Sequence, residues 1–262
     1  MSALLRVRDL SISFGGIRAV DNVSFSVERG QITSIIGPNG AGKTTLFNMI
    51  SGMYKPGQGQ VFLDDVLITG KAPFELARMG MSRTFQNLQV FMGQTAVENV
   101  MIGRQRWERS HWLADLLGLP SVHGQNRHSR DASLRMLDQV GLARHADSIA
   151  GSLSYGSLKR LEIARALATE PSVMLLDEPA AGCNGVETAE IEQIVRQIAA
   201  LGVTIVVIEH DMKMVMRMSD SVLVLNQGRT LLHGTPAEVR ADPRVIEAYL
   251  GTHAKDIDHA QA

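Results

Sequence analysis

One segment limits what this chain can fold into more than any other, and it runs from Gly37 to Thr44. Its residues, Gly-Pro-Asn-Gly-Ala-Gly-Lys-Thr, match the pattern G-x-x-x-x-G-K-[S/T] in full. An apolar run, Gln31 to Ile36, predicts a buried strand before it, and a helix is predicted after it from about Lys43 to Ser51. A glycine-rich turn at a helix N-terminus binds phosphate, because backbone N–H groups turn inward around the anion. We therefore expect Lys43 to contact phosphate and the Thr44 hydroxyl to bind Mg²⁺.

Strand-like and helix-like segments alternate along most of the remaining sequence. Further strands are predicted at Leu4–Phe14, Val20–Val27, Gln60–Leu63, Val173–Leu176, Val203–Ile208 and Ser221–Leu225. A helix is predicted over Val186–Leu201, whose apolar residues recur on one face. This alternation predicts a mostly parallel sheet covered by helices. Residues 87–158 have few strand signals and several helix-like stretches, which indicates a helical insertion.

Composition excludes several classes of protein. The 26 basic and 27 acidic residues give a formal net charge of −1, whereas nucleic-acid-binding domains are strongly basic. Cys183 is the single cysteine, which excludes a disulfide framework and a cysteine-rich zinc site. The apolar runs are shorter than the ~20 residues that span a bilayer, and the N-terminus is charged, so we expect neither a membrane span nor a signal peptide. The irregular spacing of His111, His123 and His128 favours a solvated loop over a metal site.

Two adjacent carboxylates follow a predicted strand in the last third of the chain. The apolar run Val173–Leu176 leads directly into Asp177 and Glu178. Ligands of open α/β folds bind at the carboxyl ends of strands, so Asp177 is expected to hold Mg²⁺ and Glu178 to act on water as a general base. A strand that ends in Asp-Glu is common, and the phosphate loop upstream makes the functional interpretation the stronger one.

Two further polar residues follow predicted strands. His210 comes after the run Val203–Ile208, so it is placed to reach a phosphate, although a single histidine after a strand is more often structural or exposed. Gln86 follows the strand-like segment Met81–Phe85 at the entry to the helical insertion, and its simpler interpretation is a solvated loop amide.

The motifs occur in an order that resembles the nucleotide-binding subunit of ATP-binding cassette (ABC) transporters. That order is phosphate loop, Gln86, the segment Leu153 to Gly156, Asp177 with Glu178, and His210. Leu153-Ser154-Tyr155-Gly156 is similar to the signature motif of the family. The resemblance covers about residues 4–251, followed by a polar tail over 252–262.

The resemblance implies a fold and a set of ligand contacts. The fold is α/β: a P-loop NTPase core with a mostly parallel sheet, an N-terminal antiparallel β subdomain and an inserted α-helical subdomain. Two cassettes pair head to tail, and each ATP lies between the phosphate loop of one and the signature of the other. The implied ATP contacts are Phe14, Val20, Gly37, Pro38, Asn39, Gly40, Ala41, Gly42, Lys43, Thr44, Thr45, Ser154, Tyr155 and Gly156. The implied Mg²⁺ ligands are Thr44, Gln86 and Asp177.

The resemblance also assigns catalytic roles, namely to Lys43, Gln86, Glu178 and His210. Two of the implied ATP contacts have simpler interpretations that stay open at this point. Phe14, implied to stack on adenine, is equally expected as a buried strand aromatic. Ser154 would serve as a helix cap, an interpretation that the family-like helix after it disfavours.

Several segments are most similar to the branched-chain amino acid importers of this family. Among them are Arg83-Thr84-Phe85-Gln86, Ile208 to Lys213 and the ending Ala248-Tyr249-Leu250-Gly251. Membership of this group implies two transmembrane permease subunits, a periplasmic substrate-binding protein and a second cassette that is identical or a paralogue. It also implies a peripheral position on the cytoplasmic face of the inner membrane.

Two positions depart from the usual pattern of the group. Ser157 stands where the signature normally continues with glutamine, and a lost contact across the dimer would cost about 1 kcal/mol. Gly185 stands where proline is more usual, and it loosens the backbone by roughly 1 kcal/mol of chain entropy. Both changes are expected to affect hydrolysis more than ATP binding.

Several functions fit these motifs unequally. An importer ATPase for branched-chain amino acids fits best, and related importers of other amino acids, amides or urea share much of the pattern. A weakly hydrolysing regulatory cassette is suggested by Ser157 and Gly185, but Lys43, Asp177 and Glu178 are present. A soluble cassette that acts in repair or translation would need a second cassette or a long coiled coil, for which 262 residues leave no room.

Overall fold

Two sheets and a set of helices make up the described part of the protein, residues 3–107 and 120–249 of a computed structural model. The strands are β1 Ala3–Phe14, β2 Ile17–Glu28, β3 Ile32–Ile36, β4 Gln58–Leu63, β5 Val66–Leu67, β6 Met81–Arg83, β7 Val173–Asp177, β8 Thr204–Ile208, β9 Ser221–Asn226 and β10 Arg229–Gly234. The helices are α1 Lys43–Ile50, α2 Pro73–Arg78, α3 Ala96–Gly103, α4 Pro120–Gln139, α5 Tyr155–Leu167, α6 Gly185–Ala200, α7 Met212–Met218 and α8 Pro236–Ala241. A further helical segment covers 243–249.

The smaller sheet is antiparallel and is built mainly from the N-terminal strands. Its order is β2-β1-β4-β5, and β1 pairs with both β2 and β4. Along both long strands the buried residues largely alternate with more exposed ones, as expected for a sheet with one face on the core. The predicted strands and the N-terminal antiparallel subdomain are confirmed.

The larger sheet is mostly parallel and brings the strand ends of the predicted site together. Its order is β10-β9-β3-β8-β7-β6, and only β10 runs antiparallel to its neighbour. Asp177, the last residue of β7, lies opposite Ile208, the last residue of β8. The carboxyl ends of β3, β8, β7 and β6 therefore meet at one edge of the sheet.

Both faces of the larger sheet are buried, because successive side chains of its strands point to opposite sides. On β7, Val173 and Leu175 pack in the cluster that contains Phe47 of α1 and the core residues of the smaller sheet. Met174 and Leu176 pack in the cluster formed with α3, α5 and α6. All five residues of β7 are buried, which explains the continuous apolar run in the sequence.

Helices dominate the chain between β6 and β7 where the structure describes it. Helices α3, α4 and α5 pack against one another, in agreement with the predicted helical insertion. Helix α5 continues to Leu167, so the predicted boundary at residue 158 falls inside it. Most of the polar stretch Trp107–Arg130 lies outside the residues whose side chains are described, as does the predicted tail 252–262. Within residues 3–107 and 120–249, no helix is both long and apolar enough to cross a bilayer.

Candidate functional site

The phosphate loop connects β3 to α1, and its glycines are required by close backbone contacts. Gly42 has φ +96°, and a Cβ atom there would lie 2.5 Å from the carbonyl oxygen of Ala19. A Cβ atom at Gly37 would lie 2.2 Å from the carbonyl oxygen of Leu225. Only glycine fits at either position, so the loop is held in its tight turn by the strands around it.

Lys43 is the first residue of α1, and it reaches back over the loop. Its Nζ donates hydrogen bonds to the carbonyl oxygens of Gly37, at 2.7 Å, and Pro38, at 3.0 Å. Burial lowers the pKa of Lys43, and the negative charge of Glu178 partly offsets that effect. Thr44 and Thr45 follow in the first turn of the helix, where free N–H groups and the helix dipole favour anions.

Asp177 ends β7 and is almost fully buried, with 4% of its surface exposed. Its Oδ2 accepts a hydrogen bond from Nη2 of Arg83 at 3.0 Å. Burial raises the pKa of Asp177, and the Arg83 guanidinium lowers it in part. Its backbone N–H donates to Oγ1 of Thr84, which ties the end of β7 to β6.

Glu178 occupies an unusual backbone conformation at the same sheet edge. Its φ is +48°, in the left-handed region that residues other than glycine rarely adopt. Its N–H donates to the Ile208 carbonyl at 2.9 Å, which fixes it beside β8. The side-chain amide of Gln86 donates to Oε2 of Glu178 at 3.3 Å. The predicted water-activating carboxylate and the loop glutamine are thus brought into contact.

His210 lies two residues beyond the end of β8, and its side chain is 67% exposed. Its backbone N–H donates to Oε2 of Glu209, and its Nδ1 lies 3.8 Å from the same oxygen. Glu209 is buried, and its Oε1 accepts the N–H of Ala180 at 3.1 Å. Burial raises the pKa of Glu209, and these backbone donors lower it in part. The exposed imidazole of His210 therefore lies next to a buried carboxylate, that of Glu209, which hydrogen bonds hold in place.

The signature segment begins helix α5. Ser154 is the N-cap residue, and its Oγ accepts the N–H of Ser157 at 3.2 Å. Ser154 therefore does cap the helix, an interpretation that the family-like helix after it had disfavoured. Gly156 lies against α6, because a Cβ atom there would be 2.4 Å from the Glu187 carboxylate. Tyr155 is 45% exposed, and within the part of the chain that the structure describes no hydrogen bond joins this segment to the phosphate loop of the same chain.

The two residues expected beneath adenine differ in burial. Val20 is fully buried, whereas Phe14 is 47% exposed. The alternative interpretation of Phe14 as a buried strand aromatic is therefore wrong. Its ring meets that of Tyr54 edge to face, with centroids 5.4 Å apart. Exposed aromatic rings in contact offer a flat apolar surface suited to stacking.

Three residues near the site were not predicted from the sequence. Tyr54 contacts Phe14, and Arg83 contacts Asp177. Lys159 of α5 is buried, and its Nζ lies 3.4 Å from the carbonyl oxygen of Gln86 and 3.5 Å from that of Glu178. Each contact joins residues far apart in the chain. A local pattern could flag only Arg83, which belongs to the segment Arg83-Thr84-Phe85-Gln86.

Metal binding by clustered histidine, cysteine or acidic side chains has no support in the described ranges, where no group of three or more such side chains could hold an ion. Of the three histidines considered, His128 is exposed, and the side chains of His111 and His123 lie outside the described residues. The oxygen donors at the sheet edge are the remaining candidates.

Comparison with known proteins identifies a family. The model of the ABC transporter family matches residues 20–181, and that of the branched-chain amino acid ATP-binding cassette transporter matches 229–255. The high-affinity branched-chain amino acid transport ATP-binding protein BraF of Pseudomonas aeruginosa is 43% identical over 249 residues, which cover 95% of this chain and 98% of that protein.

Solved structures agree with this assignment. The ADP conformation of an ATP-binding cassette of an ABC transporter matches with a TM-score of 0.83 and 34% identity, covering 96% of this chain and 100% of that one. A dimeric cassette in a post-hydrolysis state, bound to ADP and phosphate, matches with a TM-score of 0.74 and 26% identity over 88% and 98% of the two chains. The phosphate loop, the paired carboxylates and the capped signature helix thus belong to a nucleotide-binding cassette, and this chain is a member of the ABC transporter family.

Proposed function

We propose that this cassette binds and hydrolyses ATP to energise the uptake of branched-chain amino acids. The observation that carries the proposal is the edge of the larger sheet, where Lys43, Gln86, Asp177, Glu178 and His210 follow the ends of neighbouring parallel strands. This grouping supplies a cation, two carboxylates, an amide and an imidazole beside a phosphate loop. The amino acid class is supported by the name and 43% identity of BraF.

The residues present suit ATP with Mg²⁺. The phosphate loop leads into the N-terminus of α1, and the N–H groups of the first turn of a helix have no helical acceptor and suit phosphate oxygens. Thr44 and Asp177 offer hydroxyl and carboxylate oxygens, the hard donors that Mg²⁺ prefers, and Gln86 adds an amide oxygen. When bound, Mg²⁺ neutralises charge on the phosphate groups.

Hydrolysis then depends on how this chain's own side chains hold ATP and water. Lys43 neutralises the β- and γ-phosphates, and the exposed ring of Phe14 stacks on adenine. Glu178 accepts a proton from the attacking water, and its contact with Gln86 holds the carboxylate in place. The exposed imidazole of His210 donates a hydrogen bond to the γ-phosphate. Positioning and charge stabilisation supply most of the rate enhancement in phosphoryl transfer.

A second cassette, identical to this chain or a paralogue, completes the site. Ser154, Tyr155 and Gly156 begin helix α5, and Tyr155 is exposed, so a partner's phosphate could bind at this helix N-terminus. The dimeric post-hydrolysis cassette, which holds ADP and phosphate, supports this arrangement. We assign residues 4–251 to the ATP-binding domain, with a helical insertion that begins near residue 87.

We propose that the membrane partners dock on the surface around a cavity that is lined by residues near Gln86 in the chain. A cavity of about 330 Å³ lies between the core and the helical insertion, and its lining includes Met53, Phe85 and Ile102. Phe85 is 39% exposed and Met53 is 50% exposed. Such an apolar surface on a transporter cassette suits a helix end of a permease subunit. Two permeases would hold the protein on the cytoplasmic face of the inner membrane. A periplasmic binding protein would deliver the amino acid to those permeases.

The hydrolytic part of the proposal is tested with Glu178→Gln. This variant should lose turnover and form a dimer in ATP, seen by size-exclusion chromatography with light scattering. The double variant with Lys43→Ala should stay monomeric, because it does not hold the nucleotide. Unchanged turnover in Glu178→Gln would contradict the role of this carboxylate. A variant that binds ATP yet stays monomeric would indicate that the partner cassette is a paralogue.

The transport part requires the membrane subunits. The cassette would be reconstituted with two permeases and the binding protein in proteoliposomes, and uptake of labelled leucine would be compared with that of a small amide and urea. ATP-dependent leucine uptake that is lost in Lys43→Ala is the expected result. Uptake of urea or the amide instead would favour the related importers. Leucine uptake without Glu178-dependent turnover would favour a regulatory cassette.

A further inference from the structure

Arg83 is a buried cation to which the proposed reaction gives no role. Its side chain is only 9% exposed. The guanidinium contacts two aromatic rings, with its central carbon 5.5 Å from the ring centroid of Phe47 and 5.2 Å from that of Phe85. Removing a charge from water in this way is costly unless its N–H groups find acceptors. The hydrogen bonds of Arg83 therefore identify the elements that this residue connects.

The guanidinium connects two elements of the site through different nitrogen atoms. Nη1 donates to Oδ1 of Asn48 at 2.7 Å and to Oγ of Ser51 at 2.6 Å. Nη2 donates to Oδ2 of Asp177 at 3.0 Å. Asn48 lies in the last turn of α1 and Ser51 caps its C-terminal end, whereas Asp177 ends β7. One planar group thus fixes the end of β7 relative to α1.

This connection matters because α1 carries Thr44 in its first turn. The helix is eight residues long, so a displacement at its C-terminal end shifts its N-terminal end as well. The planar fork of arginine fixes direction as well as distance, which an ammonium on a flexible stem does not. The Arg83 contacts therefore connect the helix that carries Thr44 to the strand that ends in Asp177.

We propose that Arg83 is a positioning residue that holds Asp177 at a fixed distance from Thr44, so that both oxygens face one Mg²⁺ ion. The inference rests on the proposed function, in which Asp177 and Thr44 hold that ion. Arg83 does not touch nucleotide or water in this role. Its effect is on the amount of Mg²⁺ needed, and not on the affinity of the phosphate loop for nucleotide alone.

The test measures Mg²⁺ dependence by a readout other than turnover. A fluorescent ATP analogue is titrated against the cassette in EDTA and then at rising Mg²⁺, and the Mg²⁺ concentration for half-maximal tight binding is recorded. Arg83→Gln should raise that concentration about tenfold, because a charge-assisted hydrogen bond is lost. Binding in EDTA should stay within about twofold, since Lys43 and the loop are unchanged. Arg83→Lys, which keeps the charge but not the fork, should recover only part of the loss.

Arg104→Gln is the matched control. Arg104 is equally buried, with 6% of its side chain exposed, and it pairs with Glu170 at 2.9 Å. This variant should lose stability without changing the Mg²⁺ requirement. If Arg83→Gln loses stability in the same way but leaves the half-saturating Mg²⁺ unchanged or lowers it, Arg83 is a structural ion pair only and the proposal is overturned.

A second variant covers the case in which Arg83→Gln does not fold. Ser51→Ala leaves the Arg83–Asp177 pair in place and removes one of its two attachments to α1. It should raise the Mg²⁺ requirement by about threefold, and no change would overturn the coupling to α1. Failure of the proposed function is distinguishable, because in that case Asp177→Asn would leave Mg²⁺ dependence unaltered as well.

Discussion

The side-chain amide of Gln86 donates a hydrogen bond to the Glu178 carboxylate, with 3.3 Å between Nε2 and Oε2, although 92 residues separate them in the chain. The backbone N–H of Glu178 donates a second hydrogen bond, to the carbonyl oxygen of Ile208. A carboxylate that must receive a proton from water benefits from a fixed direction, because proton transfer requires hydrogen-bond geometry. The contact links the loop that follows β6 to the proposed base.

We predict that Gln86→Ala slows ATP hydrolysis. The change removes one hydrogen bond to a charged group, so kcat should fall about tenfold, and KM for ATP should change by less than about threefold. Steady-state release of phosphate measures both. Gln94→Ala is the control, because Gln94 is exposed on the same segment and its hydrogen bonds to Phe91 and Ala150 are made by its backbone, which alanine keeps. Equal kcat values for the two variants would contradict the role given to Gln86.

Ser157 lies inside the cap of α5, within reach of two neighbours. Its Oγ is 3.0 Å from Oγ of Ser154 and accepts from Nη2 of Arg160 at 3.1 Å. Ser157→Gln restores the residue usual in the group, and the longer amide could reach a partner cassette. In a Glu178→Gln background it should tighten the ATP-dependent dimer about fivefold, since one hydrogen bond is worth about 1 kcal/mol. Analytical ultracentrifugation measures the dissociation constant.

Ser157→Ala provides the comparison for that experiment. Alanine removes the hydroxyl and adds no reach, so it should not tighten the dimer. A Ser157→Gln dimer no tighter than that of the parent would mean that this position makes no useful contact across the interface.

Gly185 occupies the first position of α6, which suits proline. The residue before it, Asn184, caps the helix and has an extended backbone with φ −76° and ψ 172°, as a residue before proline requires. A Cβ atom at Gly185 would meet nothing within 4 Å, and its φ is not positive. Gly185→Pro should therefore stabilise the fold by roughly 1 kcal/mol, since it restricts the unfolded chain.

Thermal unfolding checks this prediction. For a chain of this size the midpoint should rise by about 2 to 4 °C. Gly202→Pro is the opposite case, because Gly202 has φ +93°, which proline cannot adopt, and that variant should be less stable. A Gly185→Pro variant that is less stable than the parent would show that the folded state needs the backbone N–H or the backbone flexibility of Gly185.

Glu209 makes a pH-dependent contribution to stability. Burial raises its pKa above the usual 4.5, so the folded state holds this proton more tightly than the unfolded chain does. The contribution is fully present below pH 4.5 and is lost as the pH rises through the raised value. Glu209→Gln keeps an oxygen for the Ala180 N–H and removes the ionisation. Its unfolding free energy should therefore decline less steeply with rising pH than that of the parent.

Urea unfolding at a series of values from about pH 5 to pH 8 measures that difference. Glu247→Gln is the control, because it makes the same substitution at a glutamate whose side chain is exposed. Parallel curves for the parent and Glu209→Gln would contradict the prediction.

Local sequence predicted those parts of the site that a short segment defines. The phosphate loop was predicted from its glycines, which occupy positions where a Cβ atom would collide with backbone. The strands before Asp177 and His210 were predicted from unbroken apolar runs, which are typical of strands buried on both faces of a sheet. The exposure of the Phe14 ring was left open, because the sequence equally allowed an aromatic buried in its strand.

The sequence by itself therefore determined the phosphate loop, the succession of strands along the chain and the family, because each is encoded in neighbouring residues or in the order of motifs. Only the tertiary structure decided which distant side chains meet: Gln86 with Glu178, Phe14 with Tyr54, and Arg83 with both α1 and Asp177. These contacts depend on strand order in the sheet, where β6 lies beside β7, which follows it by about 90 residues in the chain. Which strands lie side by side depends on how the whole sheet buries both of its faces. A local sequence pattern does not contain that information.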